Sequence, residues 1–508
     1  MVLLTVAQAR ALDLSARERL GLSETELIER AGREAALVAA RYGPLQGRRV
    51  LVLCGKGHNG ADGLVAARHL RADGVLADAV LAFDEAELAA ETGRALKEAR
   101  NAGLRVLPLA EAAGAMQASA LLIDALVGTG SRLPLTGNLA DLVRLANASR
   151  VPVLALDIAS GLDADSGHCG PVCIQARATL AFLAPKLGQR LWPGRAVSGE
   201  LLTAALGVPE YFLTALDGPL ALAFDGAQVL GILPPRDPAM HKKKAEVLLI
   251  AGSREYLGAA LLCARGAYRC GAGLVKLALP EALAPFAMAA LPEAVVVGFS
   301  ADGALSDIHL EALLALAADA NAVVVGPGLG RRTGTLALVQ ELWRRLPMPA
   351  VFDADALASL DVDDAPGGER VLTPHEGELK GLQGPQALQA GRVAAVRALA
   401  RRSGAVTLLK GPATLVAQPD GGLTVNGSGN ASLATAGSGD VLSGAIAALL
   451  AQGANGLDAA ALGAWAHGEA AEAWCEDNAD RGLLASDLAD LLPRALASAG
   501  ASETSSFT

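Results

Sequence analysis

Aromatic residues make up only 3% of the 508-residue chain. Its cores must therefore be filled by aliphatic side chains and abundant Ala, which favours helix-rich layers. No uninterrupted run of about 18 apolar residues occurs, so no membrane-spanning helix is expected. The opening "MVLLTVAQARALDLSARERL" brings charges too early for the apolar stretch of a signal peptide. Positive charge is also in deficit. The formal charge is -10, which removes any general attraction for nucleic acid or acidic lipid. An anionic substrate must then be held locally, by backbone N–H groups, helix ends and a few Lys or Arg. The six cysteines (Cys54, Cys169, Cys173, Cys263, Cys270 and Cys475) are thinly scattered, as suits free thiols in a reducing compartment. Cys169 and Cys173 flank a short loop beside His168, but no fourth ligand has zinc-finger spacing. A cytoplasmic location is expected. No short-period repeat is present, which excludes a solenoid.

What is there is a chain long enough for two to four domains, 52% hydrophobic and 19% charged. In the first half, strand-like runs at 48–53, 77–83, 104–109, 120–128, 151–158 and 178–184 alternate with helical segments. That alternation predicts an α/β domain with a mostly parallel sheet covered on both faces. Periodicity fades through "GVPEYFLTALDGPL" and "LPPRDPAMHKKK", where Pro, Gly and charge gather. The expected division is 1–220 and 221–508. The second half repeats the pattern, with strands expected at 246–252, 274–280, 294–298, 322–328, 349–355 and 405–411. Long helices are expected at 257–270, 439–452, 458–474 and 485–497.

Ligands of open α/β sheets bind beyond the carboxyl ends of the strands. There the first half places "CGKGHNGADGLVAARHL", then Asp124 before "GTGSRLP", Asp157 before "IASGLDADSG", and Lys186 after "LAFLAP". A single strand-end Asp is ordinarily a cap or turn former. Four such ends should converge Asn59, Asp124, Asp157, Ser160 and Lys186 on one rim. As a set these pieces resemble the NAD(P)H-hydrate epimerases, the YjeF N-terminal domain, over about 1–215. The resemblance implies a Rossmann-like fold that interconverts the R and S epimers of hydrated NADH or NADPH around a potassium ion. It implies substrate contacts at His58, Asn59, Gly60, Ala61 and Asp62, at Gly128, Thr129, Gly130, Ser131, Arg132, Leu133 and Pro134, and at Asp157. It assigns potassium to Asn59, Asp124 and Ser160, and acid/base chemistry to Asp157 and Lys186. The family's loop usually reads N-N-G-G-D-G where this chain has H-N-G-A-D-G; a left-handed Ala61 would cost roughly 1–2 kcal/mol. A rival reading is the non-catalytic use of this fold as a scaffold in messenger-RNA decapping proteins, though Asp157 and Lys186 are both present.

In the second half, "NASLATAGSGDVLSGAIAALLAQG" puts small residues 436–439 and then Asp440 at a helix start. Helix starts carry unsatisfied N–H groups and partial positive charge, so Asp440 is either a stabiliser of the helix end or a catalytic base. "LLKGPATLV", "VVVGPGLG", "VFDADAL" and "LTPHEGE" are further strand ends with polar residues. Together they resemble a ribokinase-like fold and, more closely, the ADP- or ATP-dependent NAD(P)H-hydrate dehydratases, over about 225–500. The resemblance implies contacts to the hydrated nucleotide at Ala259, Gly328, His375 and Asp440. It implies adenine-nucleotide contacts at Lys410, Gly411, Pro412, Ala413, Thr414 and Gly439, with magnesium accompanying the phosphates. Asp440 would take the hydroxyl proton during phosphoryl transfer, and phosphate would then leave. Where the family often has H-K-G-x-x-G, this chain has "HKKKAE" (241–246). Joined, the halves resemble bifunctional NAD(P)H-hydrate repair enzymes, a family of homo-oligomers, tetrameric or higher. The alternative is a small-molecule kinase of ribokinase type with a non-catalytic first half.

Overall fold

A computed structural model describes residues 1–498 apart from 43, 44, 131, 237, 240 and 359. The chain divides into two compact units, Met1–Ala221 and Leu222–Thr508. Among the described residues no helix is long and apolar enough to cross a membrane.

The first unit opens with a short strand, β1 (Val2–Leu3), and two helices, Val6–Leu20 and Glu24–Ala39. Both helices begin with reciprocal capping boxes, Thr5 with Gln8 and Ser23 with Glu26. There follow β2 (Arg49–Cys54), β3 (Leu76–Leu81), β4 (Arg105–Leu107), β5 (Leu121–Ala125), β6 (Val153–Leu156), β7 (Ala178–Phe182) and β8 (Glu200–Ala204). They form a parallel sheet in the order β4-β3-β2-β5-β6-β7-β8. A sheet buried on both faces needs near-continuous apolar strands, and "RVLVLC" and "VLAL" supply them. The order reverses between β2 and β5, which is where such sheets open a ligand crevice. Strand β5 stops at Ala125 instead of running to 128, because the Asp124 carboxylate accepts the Leu126 N–H at 3.2 Å and turns the chain.

The helix His58–Ala72 follows β2 directly and is seated by glycines. A Cβ on Gly60 would lie 2.1 Å from the Gly55 carbonyl oxygen, and one on Gly63 would lie 2.5 Å from the Ala125 Cβ. Ala61 sits inside this helix, fully buried. The left-handed cost considered for it does not arise, because the chain is already helical at that point.

The second unit contains β9 (Ala221–Phe224), β10 (Glu246–Ile250), β11 (Leu274–Pro280), β12 (Val295–Phe299), β13 (Ala322–Val325), β14 (Ala350–Phe352), β15 (Arg370–Leu372), β16 (Val406–Leu409), β17 (Leu415–Ala417) and β18 (Leu423–Asn426). From β9 the order runs β18-β17-β16-β15-β14-β13-β10-β11-β12. The pairs from β16 to β12 are parallel, and β16, β17 and β18 form an antiparallel meander. Order reverses between β13 and β10, giving a second crevice. Strand β14 ends at Phe352, short of the expected 355, because Ala356 N–H bonds back to the Asp353 carbonyl and starts a tight turn.

Helices Leu257–Arg269 and Ser438–Ala451 cross over this sheet. A Cβ on Gly266 would lie 2.3 Å from the Val441 carbonyl oxygen, and one on Gly444 would lie 1.9 Å from that of Cys263. Only glycine permits this backbone-to-backbone approach, and it fixes where Asp440 points. The segment 242–245 of "HKKKAE" forms a short 3-10 turn, with His241 accepting the Lys243 N–H at 3.3 Å.

Candidate active sites

In the first unit a cavity of about 700 Å³ opens at the β2/β5 crevice. Its lining includes His58, Asn59, Asp62, Gly128, Thr129, Gly130, Arg132, Asp157 and Lys186. Gly60 and Ala61 lie buried beneath it, as do Asp124 and Ser160, while Leu133 packs into the adjoining core. Pro134 is outside the lining, and Ser131 lies outside the described residues.

Asp157 ends β6 with a left-handed backbone (φ 64°), a conformation unusual for a side-chain-bearing residue. Its carboxylate forms an ion pair with Lys186, which is itself 3% exposed. Lys186 also donates to the Phe182 carbonyl at 3.0 Å, and Gln189 donates to the Asp157 carbonyl at 2.9 Å. Both functional groups are thus held on two sides.

Asp124 and Ser160 are completely buried and joined: Ser160 Oγ and N–H donate to the two carboxylate oxygens at 2.7 and 2.8 Å. Burial pushes the Asp124 carboxyl up to about 6, partly offset by hydrogen bonds from Ser160 and Leu126. Asn59 donates its amide N–H to the Val127 carbonyl at 3.0 Å, leaving its buried Oδ1 without a partner. An orphaned amide oxygen beside a carboxylate and a hydroxyl is a hard-oxygen donor set, which fits an alkali cation and not a soft metal. Among the described residues no group of three or more His, Cys, Asp and Glu could hold a metal.

Sequence reasoning overlooked one wall of this cavity. The face of the first helix contributes Arg10, Asp13 and Arg17 at helical spacing, and Glu24 pairs with His58 at 2.5 Å. The spacing i, i+3, i+7 was available as a signal, but nothing in a polar helix face says what it faces.

In the second unit the GSGD segment opens the helix Ser438–Ala451, with Gly437 in a left-handed conformation (φ 88°). Asp440 stands in its first turn, yet its carboxylate makes no hydrogen bond or ion pair among the described residues. A capping role is therefore not taken. Burial and the negative charge of Asp353 push its carboxyl up to about 7, against the pull of Lys410, with Asp355 and Glu378 adding to the rise. Lys410 Nζ bonds the buried Asp353 carboxylate at 2.9 Å and stands 3.6 Å from Glu378. Ser443 Oγ donates to the other Asp353 oxygen at 2.7 Å. Burial alone would raise the Asp353 carboxyl; Lys410, Ser443 and Thr373 together hold it below its ordinary value. A Cβ on Gly439 would lie 3.4 Å from Lys410 Nζ, so loop and ammonium face one space.

The strand-end loop 410–414 is shaped by Gly411 (φ 139°) and Ala413 (φ 51°). Arg392 clamps it from below through the Pro412 carbonyl at 2.5 Å, and Thr414 Oγ1 bonds the Gly411 carbonyl at 3.1 Å. Gly328 (φ 62°) belongs to the β10/β13 crevice, where a Cβ would meet Tyr256 O at 2.4 Å and Ala259 Cβ at 3.0 Å. His375 caps the helix Glu376–Gln383, its Nδ1 accepting from the Gly377 and Glu378 N–H groups, while the ring remains 58% exposed. Buried His467, which sequence reasoning passed over, donates from Nε2 to the Ser438 carbonyl at 2.9 Å. Burial lowers its pKa to about 4, so it stays neutral and braces the loop.

Comparison with known proteins gives matches to both units. The family model described as YjeF-related protein N-terminus matches residues 24–188, and that described as NAD(P)H-hydrate dehydratase matches 247–494. The chain is 36% identical to a bifunctional NAD(P)H-hydrate repair enzyme of Moorella thermoacetica, over 98% of this chain and 97% of that one. It is 37% identical to the enzyme of the same name from Salinibacter ruber, over 97% and 96%. A crystal structure of an ADP/ATP-dependent NAD(P)H-hydrate dehydratase from Bacillus subtilis covers 56% of this chain and all of its own, at 32% identity and a TM-score of 0.48.

Proposed function

The chain belongs to the family of bifunctional NAD(P)H-hydrate repair enzymes, and from that premise we propose how its two strand-end sites divide the repair. The first unit epimerises hydrated NADH and NADPH, and the second dehydrates the S epimer at the expense of ADP or ATP, regenerating NAD(P)H. The unpartnered Asp440, poised near neutrality beside the Lys410–Asp353 pair, is the observation that carries the reading of the second site.

In the second unit Asp440 takes the proton of the hydrate's hydroxyl as that oxygen accepts the terminal phosphoryl group. The N–H groups of the helix start and the Lys410 ammonium face the developing phosphate charge. Phosphate then leaves as the ring nitrogen supplies electrons, and loss of a proton from the adjacent ring carbon restores the double bond of NAD(P)H. Ala259, Gly328 and His375 contact the hydrate, and the loop 410–414 with Gly439 holds the adenine nucleotide. Asp353 is occupied by Lys410 and Ser443. Magnesium would be held by the nucleotide's phosphates, where it would neutralise their charge.

In the first unit the Asp157–Lys186 pair moves protons at the reacting ring carbon. The lining residues among 58–62 and 128–134 bind the hydrate. Potassium fits Asn59 Oδ1, Asp124 and Ser160, where it would supply fixed positive charge at the crevice floor. Self-association through the second unit is supported by edge strand β12, whose Val295 is exposed beside Phe286 and Met288. A kinase of ribokinase type would release a stable phospho-ester. The deciding assay supplies S-hydrate with ADP or ATP and follows the near-ultraviolet absorbance of NADH together with inorganic phosphate. A stable phosphorylated product with no NADH would overturn the dehydratase reading.

A further inference from the structure

The first unit holds a second carboxyl for which the Asp157–Lys186 pair gives no role. Asp62 is 8% exposed, lines the cavity, and makes no hydrogen bond or ion pair among the described residues. A buried carboxyl without a partner is costly, and such groups cluster where a ligand supplies what the protein withholds. Its position is imposed by backbone packing. Gly60 against Gly55 O and Gly63 against Ala125 Cβ leave the helix no room to slide or turn.

Asp62 and Asp157 reach the cavity from different elements. Asp62 rides the helix after β2, Asp157 ends β6, and the loop leaving β5 lies between. Within that loop a Cβ on Gly128 would be 3.6 Å from Asp157 Oδ2 and 3.7 Å from Asn59 Cβ. Gly128 therefore lies between Asp157 and the helix that carries Asp62. The two groups also differ in their surroundings. Asp157 has the Lys186 ammonium as its partner, whereas burial and the negative charge of Asp157 hold the Asp62 carboxyl well above its ordinary range.

We propose that Asp62 is the general acid of epimerisation, acting across the ring from Asp157; this rests on the epimerase reading of the first unit. Inverting a carbinolamine carbon without redox chemistry breaks either its C–N bond, opening the ring, or its C–O bond, and an acid beside the hydroxyl serves the second route. Asp62 donates its proton to the departing hydroxyl, which leaves as water while the ring-nitrogen lone pair forms the C=N bond of an iminium. Water adds to the opposite face, its oxygen forming the new C–O bond and its proton passing to Asp157. One proton then returns from Asp157 to Asp62 through cavity water, and the reverse direction exchanges the two roles.

The test uses the full-length chain and hydrate carrying oxygen-18 in the hydroxyl. With the wild-type protein, each epimerisation should replace the label with solvent oxygen. Retention of label during epimerisation would overturn the proposal, because no C–O bond would have broken. Asp62→Asn keeps the shape and removes the acid. It should lower epimerisation kcat by about 100- to 10,000-fold, slow label loss by the same factor, and leave KM within about threefold. A rise in KM alone, or kcat within about threefold of wild type, would make Asp62 a binding contact and sink the idea. Thermal unfolding of the variant chain with the first unit's transition no lower than in wild type reports that this unit is folded; should Asp62→Asn fail that control, Asp62→Ser is read in the same way. Wild-type protein that does not epimerise at all would instead refute the underlying reading of the unit.

Discussion

Asp440→Asn separates a catalytic carboxylate from a helix-end stabiliser, and the two roles predict opposite signs for stability. As a cap, Asp440 would be replaced almost without loss, since Asn caps about as well. Loss of its charge at the helix start would cost about 0.3–1 kcal/mol. The structure argues otherwise, because the carboxylate has no hydrogen-bond or ion-pair partner among the described residues and its pKa is pushed up to about 7 from 3.8. That difference corresponds to roughly 4 kcal/mol disfavouring the charged form, and about 2 kcal/mol is a better expectation for a group that solvent still reaches. The folded-state pKa is raised, so the folded state holds the proton more tightly than the unfolded chain. The penalty is absent below about pH 4, develops as pH rises to about 7, and is fully present above it. Asp440→Asn should therefore unfold about 4 °C higher than wild type at pH 8 and level with it near pH 4.

Dehydration should move the other way, falling by about 100- to 10,000-fold because the amide cannot accept a proton, with adenine-nucleotide affinity and epimerisation retained. In the wild type, the dehydration rate should climb as pH rises through about 7, as Asp440 ionises. The checks are a melting series from pH 4 to 8 and a dehydration assay on one preparation. A variant that melts lower at pH 8, or that dehydrates at near-normal rate, would refute the reasoning.

Gly444→Ala drives a methyl group to within 1.9 Å of the Cys263 carbonyl oxygen; the helices must part, at a cost of about 1–3 kcal/mol or more. Denaturant unfolding measures this loss, and an unchanged midpoint would contradict the close crossing. Lys410→Met leaves the Asp353 carboxylate buried and uncompensated, which should destabilise the second unit by about 3–5 kcal/mol. Adding Asp353→Asn should recover part of that loss without restoring dehydration. Asp124→Ala should weaken epimerisation in potassium buffer and leave dehydration intact; identical rates for wild type in potassium and choline buffers would count against the cation site.

Legibility followed the physics of each element. Strands buried on both faces announce themselves as unbroken aliphatic runs, so "RVLVLC", "VLAL", "EVLLI" and "AVVV" were readable. The long helices were readable from their period, to within a residue or two. Strands β8, β17 and β18 were missed because "ELLTA", "LVA" and "LTVN" are too short to show a period; they exist because neighbouring strands pair with them. The strand-end residues were readable as candidates, since topology alone sends them to one rim. Their states were not readable. Asp124, Asp157, Asp353 and Asp440 are the same residue type, and only folding gives two of them cations, one a serine, and one nothing.

Asp62 and Asp440 share that last condition. Each stands in the opening turns of a helix that follows a glycine-containing loop, where the helix end favours an ionised carboxylate by about 1 kcal/mol at most. Each is nevertheless pushed toward the protonated form, because burial outweighs so small a dipole effect. What distinguishes them is a cation, which Asp440 has in Lys410 alongside the anion Asp353. Lys410 pulls Asp440 back toward neutrality, where a carboxylate is both partly ionised and basic enough to take a hydroxyl proton. Asp62 has Asp157 as its charged neighbour, which adds to the effect of burial and raises its carboxyl further. A cation that offsets part of the rise at the first, and an anion that only adds to it at the second, suit the first to act as a base and the second as an acid. Exchanging those neighbours, and not the carboxyls themselves, is what would exchange their chemistry.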